Sequence, residues 1–103
     1  MMISRIDAVA GETITVQWPV TQLGAMLGEL RETHVALDIV QSQKTQRTLD
    51  NRVGGVAVDM ATGEATLSLE SAGLRPGEYA LMSAVQRPSG ALQRKVIRYL
   101  TLH

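Results

Sequence analysis

The sequence predicts an all-β domain, a two-sheet Greek-key sandwich of about seven short strands. Several segments alternate apolar and polar residues with a period of two, which is typical of half-buried strands. Turn sequences rich in Gly and Pro separate these segments, and one of them, Pro76-Gly77, is followed closely by Tyr79 at the start of a strand. The length of 103 residues suits a single domain covering residues 1–103.

The predicted strands fall at regular intervals along the chain. A short first strand lies around Ile3–Ile6, and two hairpins are predicted, with turns at Met60–Gly63 and Arg87–Gly90. The remaining strands are predicted at Ile14–Trp18, Val35–Val40, Val56–Asp59, Ala65–Leu69, Tyr79–Val85 and Lys95–Leu102. Trp18, at the end of its strand, is interpreted as a core residue.

Two segments do not fit the strand pattern. In Thr21–Glu32, apolar residues recur at helical spacing (Leu23, Met26, Leu27 and Leu30), which predicts a short helix with Thr21 as its N-cap. An apolar loop docked on a partner is the alternative. The segment Gln41–Gly55 is polar and is predicted to be a long connection between the sheets.

The stretch from Leu74 to Tyr79 is the most specific local signal. It matches a tyrosine corner, in which Pro76 and Gly77 shape the turn, Leu74 covers the end of the core, and the Tyr79 hydroxyl bonds to backbone upstream. This feature favours an immunoglobulin-like sandwich, although the strand number alone leaves a jelly roll open. The hydroxyl is expected to contribute about 0.5–1.5 kcal/mol to stability.

Composition excludes several classes of function. The chain has no Cys, so it can form neither disulfides nor thiolate metal sites, and this favours folding in a reducing compartment. A formal net charge of zero argues against broad nucleic-acid binding. No signal peptide is apparent, and no apolar run approaches the ~20 residues that span a bilayer, so no membrane partner is expected.

No catalytic motif is present in the sequence. The two histidines, His34 and His103, are far apart, and neither a nucleophile elbow nor a phosphate-binding loop occurs. Asp59 and Glu64 flank a turn, where a Ca²⁺ site is the less favoured alternative to a solubilising turn. We therefore expect no enzymatic activity, no cofactor and no metal.

Charge is distributed unevenly along the chain. From Arg75 onward there are five basic residues and one acid, Glu78. The prediction is a partner-binding surface formed by Arg87, Arg94, Lys95 and Arg98, together with the apolar residues Leu23, Met26, Leu27 and Leu30. A solvated edge hairpin is the simpler alternative for the basic residues.

Three motifs carry a resemblance to a known group of proteins: Gly11–Val16, Gly63–Leu67 and Leu74–Tyr79. In order and spacing they resemble the small immunoglobulin-like domains of tailed-bacteriophage virions, found in capsid decorations, baseplates and necks. The resemblance implies a structural role in the virion after folding in the host cytoplasm. It further implies many copies or a homo-oligomer, with major capsid or tail proteins as partners. A carbohydrate-binding or adhesion module is the alternative, which the presence of only three aromatic residues disfavours.

Overall fold

A computed structural model of the chain describes residues 3–103, in which eight strands form two stacked sheets. This is one strand more than predicted, and residues 1 and 2 of the predicted domain lie outside the described residues. The strands are β1 (Arg5–Ala8), β2 (Thr13–Pro19), β3 (His34–Gln41), β4 (Lys44–Asp50), β5 (Val56–Val58), β6 (Glu64–Glu70), β7 (Gly77–Gln86) and β8 (Leu92–Leu102).

The strand order is that of an immunoglobulin-like sandwich. One sheet has the order β1-β8-β7-β3-β4 and the other β2-β6-β5, and every pair is antiparallel except the parallel β1–β8 pair. β2, β6 and β5 thus form one layer and correspond to strands B, E and D of an immunoglobulin domain. β3, β7 and β8 belong to the other layer and correspond to strands C, F and G. The jelly-roll alternative is therefore wrong.

The core lies between the sheets and is filled from alternating strand positions. In β2, for example, Ile14, Val16 and Trp18 point inward while the intervening residues are exposed. The Trp18 side chain is only 1% exposed, and its indole N–H donates to the Ser83 hydroxyl on β7 at 2.9 Å. This bond joins the same two strands that a disulfide joins in antibody domains. The chain thus ties its two sheets together without cysteine.

The tyrosine corner holds the loop that precedes β7. The Tyr79 hydroxyl donates to the Arg75 carbonyl at 2.6 Å, and Leu74 packs against the core. Gly77 has φ 147°, a value that L side chains rarely adopt, and a Cβ there would lie 2.7 Å from the Gln41 side-chain nitrogen. The Gln41 side chain can move aside, so it is the positive φ that favours glycine here, where the start of β7 meets the end of β3.

The segment Thr21–Glu32 is helical, as predicted, but it does not form a single helix. The segment forms two short 3₁₀ helices, Val20–Leu23 and Leu27–Glu32, separated at Gly24, which is left-handed at φ 88°. Thr21 lies inside the first of them and does not cap it. Because the break at Gly24 places Leu23 in one helix and Leu27 and Leu30 in the other, the four predicted apolar residues do not form one continuous stripe. Neither helical segment of residues 3–103 has the length and apolarity to cross a membrane.

The predicted long connection Gln41–Gly55 is also wrong, because it contains a strand. Ser42 and Gln43 both have positive φ, 51° and 65°, as in a type I′ hairpin turn, and the chain returns along β3 as β4. β4 is an edge strand with mostly exposed polar residues, so it lacks the apolar alternation that marks a strand in sequence. The first strand is also displaced, beginning at Arg5 instead of Ile3.

Candidate binding surface

The outer face of the five-stranded sheet has a shallow, open concavity of about 620 Å³. β1, β8, β7, β3 and the β3–β4 hairpin all contribute to it. Its lining consists of Arg5, Asp38, Val40, Ser42, Gln43, Thr45, Glu78, Tyr79, Ala80, Met82, Arg94 and Tyr99. A shallow surface of this kind suits a broad contact with another macromolecule better than the enclosure of a small molecule.

The floor of this face is apolar and made of small side chains. In the pairing of β3 with β7, Val40 lies opposite Ala80 and Ala36 lies opposite Ala84. Met82 lies between the two alanines of β7, and its partner on β3 is Asp38. These residues alternate with the inward-facing core residues, so they point away from the core. The solvent face of an antiparallel sheet is normally polar. The apolar floor is therefore unusual for a face that only meets water.

Charged groups of both signs lie beside the apolar residues, including Asp38 opposite Met82 and Arg94 opposite Ala84. Arg5 donates to Glu78 at 3.2 Å and to the Thr101 hydroxyl at 2.7 Å, and its guanidinium lies 5.7 Å from the centre of the Tyr99 ring. Thr48 donates to Asp38 at 2.7 Å. Exposed pairs like these contribute at most about 1 kcal/mol to stability. Their main effect is to fix the direction of the polar groups around the floor.

The outer face of the three-stranded sheet provides a contrast. The exposed positions of β2 and β6 there include Thr13, Thr15, Gln17, Ser68 and Glu70. This is the expected polar pattern of a solvated sheet face. The two outer faces of the sandwich thus differ in chemistry, and only one of them resembles the centre of a protein interface.

The four predicted basic residues do not form one surface. Arg87 pairs with Glu29 at 3.0 Å, while Arg94 lines the concave face. Lys95 and Arg98 instead line a separate groove of about 180 Å³ beside Trp18. Successive side chains of a strand point to opposite faces, and the β7–β8 pairing also shifts register between Leu81 and Met82 opposite this region. The four basic side chains therefore lie in separate regions, and partner binding by them stays a prediction.

The predicted apolar contact residues divide into two pairs. Leu23 and Leu30 are 4% and 1% exposed and belong to the core, so they are not accessible to a partner. Met26 and Leu27 are 53% and 51% exposed. Arg87 anchors this segment through Glu29 and through a 3.1 Å contact with the Met26 sulfur. Partner binding by Met26 and Leu27 stays a prediction.

A polar network at the end of β4 was not identified from the sequence. The His34 ring nitrogen lies 3.0 Å from one oxygen of Asp50, whose other oxygen accepts the backbone N–H groups of Arg52 and Val53. The hydrogen bond with His34, followed by that from Val53, lowers the pKa of Asp50 to about 2. The two side chains are 16 residues apart in sequence, and no local pattern links them. Their role here is to close the turn after β4.

Asp59, considered for a Ca²⁺ site, accepts backbone N–H groups of its own turn. Its carboxylate bonds to the nitrogens of Ala61 at 2.8 Å and Thr62 at 3.3 Å. Glu64 is exposed on β6. Within residues 3–103, no group of three or more His, Cys, Asp or Glu side chains is placed to hold a metal ion. The geometry of Asp59 is thus that of a turn-forming residue.

No protein-family model matches the chain, and no curated protein matches it. Among solved structures, it is similar to the extracellular domains 3–5 of Drosophila OTK, with 15% sequence identity and a TM-score of 0.41. The similarity covers 98% of this chain and 32% of that one, so the chain spans about a third of the length of this neighbour. The assignment as an immunoglobulin-like sandwich therefore follows from the strand order and the tyrosine corner.

Proposed function

We propose that the chain is a non-catalytic assembly domain of a tailed-bacteriophage particle. It binds other virion proteins, of the capsid or the tail, through the outer face of the five-stranded sheet. The observation that carries this proposal is the apolar strip on the outer face of β7, formed by Ala80, Met82 and Ala84, with charges of both signs on the neighbouring strands.

Such a face has the anatomy of a protein–protein contact. Interfaces combine an apolar centre with a polar rim, and their centres are poor in charged residues. The alanines allow a partner to approach the sheet closely, while the unbranched Met82 side chain adapts to the shape of whatever packs on it. The pairs Arg5–Glu78 and Asp38–Thr48 offer hydrogen-bonding groups at defined positions around the contact.

The virion setting follows from the resemblance of three motifs, Gly11–Val16, Gly63–Leu67 and Leu74–Tyr79, to domains of phage particles. A particle presents many copies of each partner site, so contacts of modest affinity at each domain combine into stable attachment. The exposed pair Met26 and Leu27, at the end of the sandwich, provides a second contact in this arrangement.

A carbohydrate-binding or adhesion module is less well supported. Sugar recognition commonly uses the open face of an aromatic ring, but Trp18 and Tyr79 are buried in the core. Tyr99 is 38% exposed, and the Arg5 guanidinium lies over its ring. No aromatic platform is therefore available within the described residues 3–103.

Incorporation into particles tests the proposal. Met82→Lys places a charge in the apolar floor, and Ser68→Lys places the same charge on the polar outer face of the other sheet. In particles purified from the phage that encodes the chain, we expect the copy number of the Met82→Lys protein to fall at least about tenfold, equivalent to about 1.4 kcal/mol. The Ser68→Lys protein should be incorporated normally.

Two results would contradict different parts of the proposal. Equal incorporation of both variants would exclude the outer face of the five-stranded sheet as the contact surface. Absence of the unaltered chain from purified particles would exclude the virion role itself. Circular dichroism of both purified variants checks that each retains the sandwich fold, and a glycan-array experiment with the unaltered chain tests the carbohydrate alternative.

A further inference from the structure

β2 has an open edge along its whole length. It pairs with β6 on one side only, because β1 joins β8 of the opposite sheet. The backbone N–H of Val20 donates to the Gly63 carbonyl at the end of this pairing. Since only every second residue of an antiparallel strand bonds to a given neighbour, the even-numbered residues of β2 bond to β6. The backbone groups of Thr13, Thr15 and Gln17 therefore point away from β6. The Gln17 carbonyl confirms this direction, since Arg98 reaches it from the other side at 2.9 Å.

Over Thr13–Trp18 this edge lacks the devices that normally prevent strand pairing, and Pro19 ends the strand. Natural edge strands carry charged side chains, Pro or bulges that block the approach of another strand. The six residues Thr13–Trp18 contain no charge, no Pro and no Gly, and their pairing with β6 is regular throughout. β-branched residues, which favour extended strands, occupy four of these positions. Within residues 3–103, the backbone of Thr13, Thr15 and Gln17 has no strand partner on this side, and Arg98 contacts it at Gln17.

The two ends of β2 carry opposite charge. Glu12 precedes the strand, and Glu70 lies opposite Thr13 in the pairing with β6. At the other end, Lys95 and Arg98 line the groove beside Trp18 and outnumber the one acid there, Glu64, which lies opposite Pro19. An antiparallel strand from a second copy of the chain would bring its basic end to this acidic end, and its acidic end to this basic end. Charge complementarity thus favours a second copy over an unrelated strand.

We propose that two copies of the chain pair through β2 in an antiparallel, two-fold symmetric arrangement centred on Thr15. In this register Thr15 lies opposite Thr15 of the second copy, and Thr13 lies opposite Gln17 of the second copy. Each of these positions exchanges backbone hydrogen bonds across the new ladder. The two three-stranded sheets become one sheet of six strands. Threonine pairs directly opposite each other are favourable in antiparallel sheets.

Pairing changes the environment of Arg98. The Gln17 carbonyl accepts from a backbone N–H of the second copy, and the guanidinium is released toward the acidic end of that copy, near its Glu12. The surface is separate from that of the proposed function, since β2 belongs to the other sheet. A dimer therefore leaves the apolar floor of both copies free to bind a partner.

Charge placed at the symmetry axis tests the register. Thr15 is exposed, so Thr15→Lys and Thr15→Glu leave the core intact, but each places like charges directly opposite each other in the dimer. Sedimentation equilibrium should show the dimer dissociation constant raised at least about tenfold in each variant, which corresponds to about 1.4 kcal/mol. An equimolar mixture of the two variants should restore the dimer. Gln46→Lys, on the β4 edge, is the matched control and should not alter it.

Hydrogen exchange provides an independent measurement. The amides of Thr13, Thr15 and Gln17 have no strand partner in the monomer and should exchange rapidly in dilute solution. They should become protected as concentration rises, while the amide of Val16 is protected throughout by β6. A chain that stays monomeric at all concentrations would overturn the proposal. So would a dimer in which the Thr15 amide stays unprotected, or one that the mixed variants fail to restore.

Discussion

The described residues form four edge strands, β1, β4, β2 and β5, and at two of them, β2 and β4, the same device joins the two sheets. In each case an arginine of the five-stranded sheet reaches across to backbone carbonyls of the opposite side. Arg98 donates to Gln17 at the β2 edge, and Arg47 donates to Glu70 and Ala72 at the β4 edge. The two edges differ in their exposed strand. β4 carries Lys44 and Arg47, whereas β2 carries no charge.

This difference separates two structural requirements. An arginine that bridges the two sheets covers the side of the hydrophobic core. It does not prevent the edge strand from pairing with a strand of another molecule. At β4, charged side chains and a register shift in the pairing with β3 oppose pairing with another strand. β2 has no charged side chain and no register shift, and we propose that a second copy of the chain pairs at this edge.

β2 and β4 also differ in how firmly their side chains hold them in the core. Substitution of a core side chain in each strand tests this difference and has the largest expected effect on stability. Trp18→Ala should lower the free energy of unfolding by about 3–5 kcal/mol, because it removes a fully buried side chain from between the sheets. Leu49→Ala on β4 should cost less than about 2 kcal/mol, because Leu49 is only partly buried. Urea denaturation measures both. Equal losses would show that the two strands are anchored alike.

The hydrogen bond between Trp18 and Ser83 is the next largest effect. Ser83→Ala leaves the buried indole N–H without an acceptor and should cost about 1–3 kcal/mol. The matched control is Ser68→Ala, at an exposed position of β6, which should change stability by less than about 0.5 kcal/mol. If thermal and urea unfolding gave the same stability for both variants, this bond would not hold β2 to β7.

The two arginine bridges allow a direct comparison of the edges. Arg47→Ala removes bonds to two carbonyls and should lower the stability by about 1–2 kcal/mol, while Arg98→Ala removes a bond to one carbonyl of the opposite sheet and should cost about 1 kcal/mol or less. Both values follow from urea denaturation at low protein concentration, where β2 is unpaired. A larger loss for Arg98→Ala would mean that β2 depends on its bridge more than β4 does.

The smallest expected effect is on the pH dependence of stability and comes from Asp50, at the end of β4. The pKa of Asp50 is lowered from 3.8 to about 2 by His34 and by backbone N–H groups, so its ionised form is favoured in the folded state. Its contribution to stability is therefore full above about pH 4 and is lost as the pH falls toward 2. Asp50→Asn should flatten the decline in stability between these values. Urea denaturation at several pH values measures the slope, and an unchanged slope would contradict this assignment.

Much of the fold could be predicted from sequence, but less of the candidate surface. Alternation in Ile14–Trp18 identified a strand with Trp18 inside, because the period of two is a local property. The apolar floor could not be identified in this way. Ala80 and Ala84 are apolar whether they face the core or the solvent, and only the pairing of β7 with β3 shows that they lie on the outer face.

The sequence alone determined the all-β class and the tyrosine corner, since both depend on residues that are neighbours in the chain, such as Pro76, Gly77 and Tyr79. The tertiary structure decided what depends on residues far apart. It made a strand of the polar segment Lys44–Asp50, separated Arg94 from Lys95 and Arg98, and left β2 with an open edge. Strand pairing over long sequence separations determines which groups meet, and the local period of hydrophobicity does not encode it.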